Sequence, residues 1–238
     1  AAWAPASSAG SAYIVDNYTG TVPTAIGPDA IAIGTNAQAD DDRSISIGID
    51  SSSNALDQTN MGLTRTSRDT VSIGTRAGSL NERATQTVCI GVDTYSRSLD
   101  TLNADGSNTG NTAGNSVVIG ATAKNVGYGD MSANIAIGVG AFTQAQNALA
   151  LGVYATCAGD NAIAIGKFAV VHGNVLGGIA IGHSSSAHNY ANTAGIAIGG
   201  HPNSTSGVSG SGAETYGSGI NIGNVGSSAN NTTIRIGT

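Results

Sequence analysis

Asn147-Ala148-Leu149-Ala150-Leu151-Gly152 is followed fourteen positions later by Asn161-Ala162-Ile163-Ala164-Ile165-Gly166. The kernel of both is a four-residue word: an aliphatic residue, a small or polar one, Ile or Leu, then glycine. It occurs twelve times, with glycines at 34, 48, 74, 91, 120, 138, 152, 166, 182, 199, 223 and 237. Four of the spacings equal 14 and none is shorter. The unit is therefore 14 residues long, and the longer spacings carry insertions. A fixed period with length variation confined to one phase is the mark of a solenoid whose insertions map to loops.

The word alternates with period two, as a short strand with two unlike faces does. Its aliphatic positions favour a pleated strand over a helix. The glycine permits a sharp turn. Three residues on stands a small residue, as at Ala37, Ser51, Ala77, Thr94, Ala123, Ala141, Ala155, Ala169 and Ser185. That segment reads as a second strand on the return side of each coil. The expected fold is all-β: a parallel β-roll or β-solenoid of about twelve 14-residue coils spanning 25–238, after an attachment or capping segment at 1–24.

The middle position of the word decides how such a coil is used. With the Ile pair turned into the coil, the middle residue faces outward. There the sequence places Ala32, Ala136, Ala150, Ala164, Ala180 and Ala197, where a soluble monomer would carry polar side chains. A small-residue stripe on an outer face predicts close packing against other copies, and so thin a coil encloses too little volume to stand alone. Cyclic symmetry would bury the stripe, which makes the expected partner the chain itself, as a homotrimer.

Bulk composition narrows the function. Charged residues make up 10% and aromatic residues 4% of the 238, and the net charge is −6. That balance argues against nucleic acid or an anionic membrane as a partner. No apolar run approaches the roughly 20 residues of a spanning helix, so membrane insertion is not expected. The first residues, Ala1-Ala2-Trp3-Ala4-Pro5, lack the basic and apolar regions of an intact signal peptide. Cys89 and Cys157 would lie three coils apart, about 14 Å, beyond the roughly 7 Å a disulfide spans. Both are expected as buried thiols.

Other readings of the motifs fail on spacing. Left-handed β-helix acyltransferases repeat every six residues, and 14 is not a multiple of six. His172, His183, His188 and His201 fall in turn-like stretches and read as solvated rather than catalytic. Asp40-Asp41-Asp42 reads as a solvated acidic loop, and the nonapeptide calcium repeat is absent. Gly138-Val139-Gly140 precedes no helical pattern, so it is no dinucleotide site. Short matches to the glycosylation sequon at Asn17, Asn203 and Asn230 occur by chance. An ice-binding solenoid needs a Thr ladder, but the position after each word glycine runs Thr35, Ile49, Thr75, Val92, Ala121. No cofactor, metal or catalytic residue is expected.

Asn115-Ser116-Val117-Val118-Ile119-Gly120, with the words at 147–152 and 161–166, resembles the head repeats of YadA-type trimeric autotransporter adhesins. The resemblance covers most of residues 30–237 and implies a left-handed parallel β-roll in a three-chain bundle that binds host surfaces. The chain departs from that family in lacking a recognisable export signal, a coiled-coil stalk and a membrane barrel, and in its long insertions. Its last residues, Asn231 to Thr238, are similar to segments that precede intramolecular chaperones in bacteriophage tail fibres. Together these resemblances imply a non-enzymatic fibre on a virion surface, with a bacterial cell-surface adhesin head as the alternative. The insertions at 49–69, 92–114 and 200–217 then become candidate receptor loops, carrying Arg65, Arg68, Tyr95, Arg97, His201 and Tyr216 for protein or saccharide contacts. Residues 1–24 carry Trp3, Tyr13 and Tyr18 as candidate anchors to the virion or cell surface.

Overall fold

The structure is a computed structural model. It describes residues 21–40, 42–53, 69–79, 86–99, 114–128, 133–173, 176–188, 195–199, 214–216, 220–223 and 234–237. Among them there is no helix. The chain divides into two compact units, Ala1–Ala133 and Asn134–Thr238. Each is a parallel β-solenoid.

In the first unit the words form β2 (Ile31–Ile33), β4 (Ile45–Ile47), β5 (Val71–Ile73), β6 (Val88–Ile90) and β8 (Val117–Ile119). Return strands are β1 (Thr24–Ala25), β3 (Gln38–Ala39), β7 (Tyr95–Leu99) and β9 (Lys124–Tyr128). In the second unit the words form β10 (Ile135–Ile137), β12 (Leu149–Leu151), β14 (Ile163–Ile165), β16 (Ile179–Ile181), β18 (Ile196–Ile198), β20 (Ile220–Gly223) and β21 (Ile234–Gly237). Their return strands are β11 (Phe142–Thr143), β13 (Thr156–Cys157), β15 (Val170–Val171), β17 (Ser186–His188) and β19 (Glu214–Tyr216). Within each unit each word pairs in parallel with the next at equal positions: Leu149 opposite Ile163, Ala150 opposite Ala164, Leu151 opposite Ile165. Insertions leave that register untouched, for Ile47 still meets Ile73 across a 26-residue interval. The return side is less regular. Among the described residues, the coils at Ser51 and Ala77 form no return strand, only an isolated bridge from Gln38 to Ser52.

The orientation of the word is the reverse of the expected one. Ala32, Ala136, Ala150, Ala164, Ala180 and Ala197 are fully buried within the single chain, so they line the coil interior and form no outer stripe. The aliphatic residues on either side are half-buried or exposed, the pattern of β4, β14 and β16 alike. The cause is the width of the coil. Among the described residues, the largest apolar side chains to be fully buried are Val118 and Val171. An interior that admits nothing bigger must be filled from the word's small middle position and the small residue after the turn. Both sets meet there: Ala37, Ser51, Ala77, Thr94, Ala123, Ala141, Ala155, Ala169 and Ser185 are buried as well.

The two units fill that space differently. Beyond an alanine cluster at Ala25, Ala30, Ala32, Ala37 and Ala39, the first is lined by hydroxyls. The Ser46 and Ser51 hydroxyls lie 2.8 Å apart, and Ser72 donates to the Ser52 carbonyl at 2.8 Å. Asn125 Nδ2 donates to Ser96 and Ser116 at 3.0 and 3.2 Å. Buried polar groups paired in this way avoid the desolvation cost of unmet ones. The second unit is lined by alanines with Cys157 and Val171.

The word glycines close the coils. Gly152 has φ +137°, which side-chain-bearing residues rarely adopt, and a Cβ there would lie 2.5 Å from the Gly166 carbonyl oxygen of the next coil. The Gly152 N–H donates to the Ile137 carbonyl of the coil before at 2.8 Å. Gly152→Ala is therefore predicted to cost about 1–3 kcal/mol from the backbone conformation alone, plus the clash. A thermal melt of G152A that matches the parent would refute this account of the turn.

Neither Cys89 nor Cys157 is in a disulfide, and both are buried. Burial pushes the Cys157 thiol up to about 12, only partly opposed by backbone hydrogen bonds from Leu149 and Gly159. A thiol whose folded pKa is raised adds stability that is complete below its unfolded pKa, about 8.5, and is lost as pH climbs toward 12. Native protein at pH 8 should resist thiol alkylation at Cys157 and become reactive only on unfolding. The melting midpoint should fall as the pH is raised above about 9. Quantitative labelling of native Cys157 would contradict its burial.

Candidate interaction surfaces

Turning the small residues inward turns the aliphatic ones out. Each word presents two side chains to the outer face, and the parallel register stacks them into two columns within each unit. In the single chain Ile135 is 38% exposed and Leu151 40%, with Ile163, Ile165, Ile179 and Ile181 half-buried. Contiguous apolar surface of this kind marks an interaction site on a soluble protein.

The turns form a second surface, built on backbone that most residues avoid. Two sets of non-glycine residues have positive φ. One lies two positions before each word, as at Arg43, Asp69, Asn115, Asn147 and Asn161, with φ between 52° and 57°. The other lies two positions after the word glycine, as at Asn36, Asp50, Arg76, Asp93, Tyr154 and Phe168, with φ between 53° and 58°. Asn and Asp tolerate this left-handed region better than other side chains do. Two of the others, Arg43 and Arg76, pair with carboxylates one coil away. Arg43 makes a two-pronged ion pair with Asp69, its second nitrogen at 3.0 Å. Arg76 does the same with Asp93, at 2.7 Å. The Arg76 hydrogen bond holds the Asp93 carboxyl below the usual range, against a smaller opposing effect of burial. Asn36 donates to Asp50 at 2.8 Å, and Asn147 to Asn161 at 3.1 Å.

In the second unit the same column becomes aromatic. The Tyr154 and Phe168 rings stack with centroids 5.6 Å apart and planes 6° from parallel. His183 meets the Phe168 ring edge-on, and Lys167 Nζ lies 5.1 Å from its centroid. Below the stack Gly140 leaves room: a Cβ there would lie 2.5 Å from the Tyr154 ring. Exposed aromatics at strained turns carry no sequence signature of their own. The 14-residue spacing from Tyr154 to Phe168 was the available signal.

Of the candidate receptor residues, Tyr95 and Arg97 lie half-buried on β7, opposite Lys124 and Val126 of β9. They stand on a strand, not on a free loop. Tyr216 is on β19, in register with His188. Arg65, Arg68 and His201 lie outside the described residues, as do Trp3, Tyr13 and Tyr18. The candidate residues are thus not brought into one described site. His188 belongs to strand β17, not to a turn, and it stacks on His172. Partial burial, and secondarily the nearness of His188, lower the His172 pKa from its ordinary value. Among the described residues no three His, Cys, Asp or Glu side chains gather as a metal site would require.

The sequence profile of the YadA head domain repeat matches residues 25–51, 135–155 and 144–169. These segments contain the words at 31–34, 45–48, 135–138, 149–152 and 163–166. No curated protein matches the chain. Among solved structures the chain is similar to the collagen-binding domain of the Yersinia adhesin YadA, at 21% identity and a TM-score of 0.37, over 77% of this chain and 73% of that one. Word, register and profile agree over those segments, which match the YadA head domain repeat.

Proposed function

We propose that this chain is the head of a homotrimeric, non-enzymatic attachment fibre, joined through the outward aliphatic columns and displaying its insertions to a host receptor. The observation that carries the reading is the inverted word. A coil whose largest buried apolar side chain is valine, and most of whose lining is Ala, Ser and Thr, gains little from its own interior, since burying a large apolar side chain contributes roughly 1.5–3 kcal/mol and alanine far less. Its Ile, Val and Leu columns are covered only when other copies meet there. The alanines proposed as the trimer stripe are replaced in that role by Ile163, Ile165 and their equivalents. The YadA head repeat supports both the trimer and an adhesive role.

Sedimentation should give three times the chain mass. Replacing Ile163 and Ile165 together by Asp should dissociate the chains and, with their faces uncovered, unfold them. A folded, soluble monomer, of the parent or of this variant, would overturn the proposal.

The anchor is proposed to be a virion, reached through residues 1–24, because Asn231–Thr238 is similar to phage-fibre segments. The repeat match favours a second reading, the head of a bacterial surface adhesin. Antibody to the protein should label purified phage particles under the first reading and the bacterial envelope under the second. Chain lacking residues 1–24 should trimerise yet fail to join its particle. Removing residues 100–113, within the largest insertion, should reduce host binding while leaving the trimer intact. Unchanged binding would exclude that loop as the receptor contact.

A further inference from the structure

The return side of the second unit carries a pair of histidines that the attachment reading does not use. His172 follows β15 and His188 ends β17, one coil later. Their rings stack with centroids 4.0 Å apart and planes 20° from parallel. Both Nε2 atoms address a single oxygen: Ser186 Oγ lies 2.8 Å from Nε2 of His188 and 3.4 Å from Nε2 of His172. A hydroxyl has one proton to give, so it donates to one imidazole and at best accepts from the other. Two imidazole nitrogens converging on one point is also what a borderline divalent cation requires.

We propose that His172 and His188 form a two-imidazole site for a divalent transition metal of the zinc, nickel and copper class, on the outer face of the return strands. Imidazole suits these metals better than magnesium or calcium, which take oxygen ligands. Zinc binds histidine nitrogen at about 2.0–2.1 Å, so two such nitrogens stand about 3.3 Å apart in a tetrahedral site. Rings already stacked, with both nitrogens near one oxygen, reach that separation by rotating their own side chains, with the backbone in place. Ser186 holds the pair converged without metal. On the adjoining strand β19, Glu214 is in register with Ser186 and Tyr216 with His188. Water completes the coordination otherwise. The pair lies on the return strands, apart from the word columns proposed as the trimer seam.

The test is calorimetric titration of Zn2+ into the full chain in a non-chelating buffer at pH 7.5. One ion per chain is expected, with affinity reduced at least tenfold in both H172Q and H188Q and retained in S186A. Circular dichroism establishes that each variant is folded. Should H188Q not fold, H172Q and the copper spectrum decide. Electron paramagnetic resonance of the Cu2+-loaded parent should show coupling to two imidazole nitrogens. Absence of Zn2+ binding, binding undiminished in H172Q, or a copper spectrum with fewer than two nitrogens would overturn the proposal.

Discussion

The bore of the coil governs the rest of the structure. Fourteen residues folded into two short strands leave an interior in which valine is the largest apolar side chain fully enclosed among the described residues. The small middle residue of each word must face inward, so the large aliphatics must face out. Glycine is required at the corner because the backbone there has positive φ and lies against the next coil, as at Gly152 over Gly166. A coil that cannot enclose isoleucine leaves it on the outer face, and the proposed trimer rests on that exposure.

Much of the fold was legible because it depends on period. The 14-residue spacing, the strand at each word and the turn at each glycine reappear at the expected positions. The facing of the word was not legible by alternation, which distinguishes two faces without saying which is inside. Assigning isoleucine to the interior followed the common rule for cores, and that rule assumes a core wide enough to hold it. The clue was present: Ala150 on the word and Ala155 after the turn are both small, and two small walls can only enclose a narrow space. The return strands were less legible than the words for a related reason. A word fixes its own strand, while the return strand depends on residues such as Ser51–Ser53, where no comparable pattern constrains the chain.

The surfaces were less legible than the scaffold. Insertions are set by what they meet, and neither period nor composition reports that. The left-handed turn columns were readable only where Asn or Asp occupied them, as at Asn147 and Asn161. Arg76, Tyr154 and Phe168 occupy equivalent backbone without being suited to it, and their pairing across coils became apparent only in three dimensions. The lining of the interior shows the same division. Hydroxyl-rich coils in the first unit and alanine-rich coils in the second satisfy one steric limit by two chemistries, hydrogen bonding in one and close apolar contact in the other.

Parallel register without slippage has an evolutionary corollary. Every column, whether the glycine corners, the aliphatic pairs or the charged and aromatic turns, is built from residues at the same phase of consecutive coils. Duplication or loss of one whole coil leaves each column continuous, whereas gain or loss of a residue within a word breaks all of them at once. Length in such a head is therefore inherited in quanta, and surface novelty accumulates at the loops, the one phase where extra residues disturb no column. Recombination between repeats becomes a source of viable variants, and point insertion a source of dead ones.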